Sequence, residues 1–64
     1  MQMTMTQRTE TRSTVLGQFY GIREIVDAVE VNVAVGNYTT AVLCVDDLVA
    51  AAKLARRGIK ALED

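Results

Sequence analysis

Apolar residues recur with a helical spacing after residue 13. They fall three or four positions apart, on one continuous stripe: Val15, Phe19, Ile22, Val26 and Val29. Gln18 lies off this stripe. Ser13 or Thr14 can cap the start, because a hydroxyl oxygen accepts a hydrogen bond from an otherwise unpaired amide. The pattern predicts an α-helix over 14–28.

The spacing then changes to strict alternation. Residues 29–35 read VEVNVAV and residues 38–45 read YTTAVLCV, with Gly36-Asn37 between them. Two β-rich runs separated by a two-residue loop predict a β-hairpin, and glycine supplies the positive φ of a type II′ turn. That register pairs inward-facing residues: Val35 with Tyr38, Val33 with Thr40, Val31 with Val42, and Val29 with Cys44.

A second helical pattern follows over 46–62. Asp46 is its expected N-cap, and Asp47 adds favourable negative charge at the helix start. The predicted apolar stripe comprises Leu48, Ala51, Ala52, Ala55, Ile59 and Leu62. The opposite face is basic and comprises Lys53, Arg56, Arg57 and Lys60. An alanine-rich stripe allows this helix to pack closely against a neighbouring element.

The first thirteen residues differ from the rest in composition. They are rich in threonine, and Met1, Met3 and Met5 alternate with polar residues. We interpret 1–13 as a polar arm or an edge strand, and 14–64 as a single α-β-β-α domain. The predicted fold class is therefore α+β, a small (β)-α-β-β-α layer with its hairpin packed under two helices.

Length and composition favour self-association. A chain of 64 residues has a small core, and one cysteine with no histidine excludes an internal disulfide framework and argues against a zinc site. An isolated hairpin is also marginal in water, so we expect a second subunit to complete the sheet. The expected subunit contacts are Ala51, Ala55, Leu43 and Ala41.

The sequence offers no catalytic constellation, metal site or cofactor motif. The usual near-neutral base is missing because there is no histidine, Cys44 is expected to be a buried apolar residue, and Asp46-Asp47 is explained by helix capping. The basic face is the candidate partner surface, with Lys53, Arg56, Arg57 and Lys60, joined by Tyr38 beside the turn. An acidic protein or a phosphate-bearing ligand fits it; a net charge of −1 makes nucleic acid less favoured.

Two resemblances supply alternatives. Ile25-Val26-Asp27-Ala28 and the alternation up to Gly36 resemble the helix-to-hairpin passage of gas-vesicle shell proteins, although Arg23-Glu24 and Val29-Glu30 depart from that pattern. This implies a self-assembling structural subunit. A second interpretation is a short strand over 1–9, a helix that ends near Val33 and one long helix over Thr40–Arg57. This arrangement resembles a ribbon-helix-helix repressor or antitoxin, with Gln2, Thr4, Thr6 and Arg8 facing the DNA groove.

The expected function is a small, non-catalytic, homo-oligomeric interaction or regulatory module that binds a protein or small ligand. No apolar run is long enough for a membrane span, and a lone thiol is typical of a reduced compartment. We therefore expect a cytoplasmic protein without a membrane partner.

Overall fold

The computed structural model describes residues 3–63, and it is a helical hairpin. Helix α1 runs over Met5–Ala34 and helix α2 over Tyr38–Glu63. No strand is present within the described residues, so the predicted α+β fold and its central β-hairpin are wrong. The two predicted helices are confirmed in type, but each extends well beyond its predicted start or end.

The N-cap of helix α1 lies nine residues before Ser13 and ten before Thr14, the two predicted caps. Thr4 is the N-cap in extended geometry: its hydroxyl accepts from the Gln7 amide at 3.1 Å, and the Gln7 side chain accepts from the Thr4 amide at 2.8 Å. This reciprocal capping box satisfies two amides that a helix start leaves unpaired. Met5 to Ser13 are consequently helical, not an arm or strand, whereas Met1 and Gln2 lie outside the described residues.

The chain reverses at Gly36-Asn37, as the sequence predicts, but between helices. Gly36 has φ +82°, the left-handed conformation that glycine adopts without a steric penalty. Its amide donates to the Val33 carbonyl at 3.2 Å, and the Asn37 amide donates to the Asn32 carbonyl at 2.8 Å. This pair of bonds is a Schellman motif, which ends α1 by satisfying its last carbonyls.

The two helices pack through a heptad seam. Its residues are spaced alternately three and four apart, the pattern of antiparallel coiled-coil packing. In α1 the seam comprises Arg8, Thr11, Val15, Gln18, Ile22, Ile25, Val29 and Asn32. In α2 it comprises Ala41, Cys44, Leu48, Ala51, Ala55, Gly58 and Leu62, which are all the buried or half-buried residues of that helix.

Continuity of this seam explains why the valine-rich segment is helical. The alternating valines are exposed, Val31 by 61% and Val33 by 50%, so the register that buried them is wrong. Val29 and Asn32 instead extend the seam of α1, and Asp46 lies inside α2 rather than at its start. A two-stranded hairpin would have no third strand, whereas a helix satisfies its own backbone and lengthens the interhelical contact.

Small residues in α2 bring the helices close together. Ala41 is 5% exposed and Ala55 is 1% exposed. A Cβ atom at Gly58 would overlap Val15 Cγ2, so glycine makes room for the valine. At the open end, the Arg8 guanidinium donates to the Leu62 carbonyl and ties the start of α1 to the last turn of α2.

Candidate interaction surface

One side of the hairpin carries an uncovered apolar stripe from both helices. Each heptad contributes two residues to the seam, and the position immediately after the second one borders the seam. Because the two helices are antiparallel, these bordering positions of α1 and of α2 lie on the same side of the hairpin. Their apolar members are Phe19, Val26 and Val33 from α1 and Tyr38, Val45, Ala52 and Ile59 from α2. We call these seven residues the open apolar face. Val33, Val45 and Ile59 are 50%, 40% and 45% exposed.

Helix α2 widens this face. Val42 and Val49 lie beside it and are 61% and 48% exposed. Together with the α2 members of the face they form a second series with heptad spacing, Tyr38, Val42, Val45, Val49, Ala52 and Ile59, interrupted by Arg56. A helix with two adjacent apolar seams is typical of a bundle, where each helix contacts two neighbours.

The other side of the hairpin is less apolar. On this side lie the residues that directly precede the first seam residue of each heptad. They are Gln7, Thr14, Gly21 and Ala28 in α1, and Thr40, Asp47, Leu54 and Ala61 in α2. Asp47 and Thr40 are exposed there, and Leu54 is the one large apolar residue in this set. The hairpin therefore has an apolar side and a mixed side.

Charge is separated along the hairpin. We divide it into a turn half, 20–51, and an open half, 5–19 with 52–63. The turn half holds Glu24, Asp27, Glu30, Asp46 and Asp47 against Arg23, a net −4. The open half holds Arg8, Arg12, Lys53, Arg56, Arg57 and Lys60 against Glu10 and Glu63, a net +4. A nearly neutral chain is thus strongly polarised.

The predicted basic partner surface lies on the outside of α2. Lys53, Arg56, Arg57 and Lys60 are all exposed, and Lys60 Nζ lies 2.9 Å from Glu63 Oε2. Tyr38 is 66% exposed but lies at the turn, about 22 Å along the helix from Lys53 at 1.5 Å per residue. The structure therefore groups the four cations and leaves Tyr38 on the open apolar face.

Three of the four predicted subunit contacts lie inside the hairpin. Ala41, Ala51 and Ala55 belong to the seam, where α1 covers them. Leu43 is 60% exposed but lies away from the open apolar face. The sequence stripes assigned Phe19 and Val26 to the intramolecular core; the residues that pack there are Gln18 and Ile25. Both sets alternate three and four residues apart, so spacing within α1 does not separate them; the register of α1 against α2 does.

Gln18 is a polar residue at the centre of the seam. Its Oε1 atom is buried and has no hydrogen-bond partner. A buried acceptor without a partner costs stability, because it has lost its water.

We expect Gln18→Leu to raise the free energy of unfolding by about 1–2 kcal/mol, since it removes this unpaired acceptor and adds apolar contact. Thermal and urea unfolding followed by circular dichroism measure the change. Gln18→Glu is the contrasting variant, which should lower stability because it places a charge in the seam. Equal stability of the two variants would contradict the buried position.

Other chemistry-bearing side chains do not converge. Cys44 is half-buried in the seam, and Asp46 and Asp47 are exposed on α2. Residues 3–63 contain no cluster of histidine, cysteine and acidic side chains that could hold a metal ion. Over the same residues, neither helix combines the length and apolarity that crossing a bilayer requires.

Comparison with known proteins adds no relative: no family model, curated protein or solved structure matches the chain.

Proposed function

We propose that the chain is a non-catalytic helical interaction module that works as a homo-oligomer. The observation that carries the proposal is the open apolar face, which extends along the hairpin within residues 3–63; six of its seven residues are exposed and Val26 is half-buried. Large uncovered apolar surfaces mark contact sites on proteins. A second copy of the hairpin offers a matching apolar face of equal length. The lone half-buried thiol fits a reduced compartment such as the cytoplasm.

The surface area supports a second copy as the occupant. The hairpin measures 47 × 15 × 11 Å and exposes 5027 Å², whereas a compact protein of 7.0 kDa exposes about 4,000 Å². The excess is close to the ~800 Å² that each partner contributes to a standard stable interface. Pairing two hairpins would therefore return the exposed area per chain to that of a compact domain.

The alternative functions lose the elements on which they depend. A ribbon-helix-helix protein pairs strands from two subunits, but Met5 to Thr9 belong to α1. The gas-vesicle resemblance implies a β-hairpin over residues that are helical here. Neither strand-based assembly is part of the proposal.

We expect Val45→Glu to weaken self-association about tenfold or more, because it places a charge in the middle of the open apolar face. Val45 is 40% exposed and outside the seam, so the hairpin itself should keep its helicity. Sedimentation equilibrium over a range of concentrations measures the association, and circular dichroism checks the fold.

Leu43→Glu is the matched control. Leu43 is an exposed apolar residue of the same helix, but it lies off the open apolar face. This variant should associate like the unaltered protein. A chain that is monomeric at every concentration, or equal weakening by both variants, would refute the proposal.

A further inference from the structure

We infer that the two copies pair end for end, with the turn half of each lying on the open half of the other. This inference rests on the proposed self-association and adds its orientation and its partner residues. The turn half carries a net −4 and the open half a net +4. Pairing end for end brings the net-negative half of each copy over the net-positive half of the other, whereas pairing turn to turn brings like-charged halves together. Lys53, Arg57 and Lys60 lie on the outside of α2, so they act through the long-range potential and not through direct contact.

The apolar contact alone does not select an orientation. Apolar residues occupy the open face from Val33 and Tyr38 at the turn to Ile59 near the open end. Burial of apolar surface is not directional, so it does not by itself fix which end of the second copy lies at the turn. Charge is directional, and complementary potentials fix the register of an interface more than they raise its affinity.

We place the open apolar faces of two copies in contact, related by a two-fold axis that crosses the middle of each hairpin. Each residue of one copy then has a defined neighbour in the other. End-for-end rotation places α1 against α1 and α2 against α2 of the second copy. With the axis near Gly21 and Ala52, Arg12 lies beside Glu30 of the second copy, and Val45 lies beside Ile59. Arg12 and Glu30 are both exposed; Arg12 has the same heptad position as Phe19, and Glu30 lies on the flank of the open apolar face.

The orientation can be measured with one spin label in each chain. Thr39 is exposed beside the turn and lies off the open apolar face, so Thr39→Cys provides a label site in a Cys44→Ala background. Thr39 lies thirteen residues from Ala52, where the two-fold axis passes. End-for-end pairing places the two labels on opposite sides of that axis, so at 1.5 Å per residue they are about 40 Å apart. Turn-to-turn pairing predicts about 25 Å or less, because neighbouring helix axes are 8–10 Å apart.

A charge exchange tests the same contact without labels. Arg12→Glu and Glu30→Arg should each raise the dimer dissociation constant about tenfold at low salt, since each creates like-charge neighbours twice per dimer. The double variant Arg12→Glu/Glu30→Arg should restore it, because the pair is complementary again. Sedimentation equilibrium gives the constants, and circular dichroism confirms that each variant is helical.

The outcomes separate this inference from the proposed function. A long label distance with rescue by the double variant supports end-for-end pairing. A stable dimer with a short distance, or with additive losses in the double variant, overturns the orientation and leaves self-association intact. A helical monomer overturns both.

Discussion

Ala55→Asp is expected to unfold the hairpin. Ala55 is 1% exposed in the seam, and the α1 seam residues at its level, Val15, Gln18 and Ile22, are uncharged. A buried unpaired charge costs several kcal/mol, and a domain of this size is stabilised by only about 3–5 kcal/mol. Loss of the helical circular dichroism signal at room temperature is the expected result.

Ala50→Asp is the matched control for this substitution. Ala50 belongs to the same helix and is exposed, so the change in helix propensity is the same without burial. We expect this variant to melt within about 1 kcal/mol of the unaltered protein. If both variants stayed folded, the close helix contact at Ala55 would not exist.

The sequence predicts the helical segments 14–28 and 46–62 better than the segment between them. The apolar spacing in 14–28 and 46–62 predicts two helices, and Gly36-Asn37 marks the reversal between them. The local pattern does not reveal the heptad series on either side of the turn. Val29 and Asn32 continue the seam of α1, and Ala41 and Cys44 begin the seam of α2. Alternating valines favour a strand locally. The free energy of this local preference is smaller than the free energy of interhelical packing that α1 gains by being longer.

The start of α1 was missed for a different reason. Residues 5–13 include few large apolar residues, so the segment has a weak periodic signal. Its helicity depends on the Thr4–Gln7 capping box and on the tie between Arg8 and the Leu62 carbonyl. The second of these is a contact across the whole chain, which spacing along the sequence does not reveal.

The candidate interaction surface was also predictable only in part. Exposure of the basic face of α2 is predictable, because its four cations lie on one side of a helix and are better solvated in water. The open apolar face was not, since Phe19 and Ile59 fit an intramolecular stripe as well as an outer one until both helices are in register. A shift of one residue, about 100° around the helix, exchanges core residues for surface residues.

Gly58→Ala should lower the free energy of unfolding by about 2 kcal/mol, although alanine is the better helix former. The added methyl group would overlap Val15 Cγ2, and valine has one strongly preferred rotamer in a helix, so it yields poorly. Overpacking of about 3 kcal/mol therefore exceeds a propensity gain of about 1 kcal/mol. Urea unfolding followed by circular dichroism measures the difference.

The sign of this effect should reverse when Val15 is truncated. In a Val15→Ala background the overlap is gone, so Gly58→Ala should stabilise by about 1 kcal/mol, giving a coupling of about 3 kcal/mol. Gly21→Ala is the control: nothing lies within 4 Å of a Cβ there, so it should stabilise by about 1 kcal/mol in both backgrounds. A destabilising Gly58→Ala that is unchanged by Val15→Ala would show that the two helices do not meet at this pair.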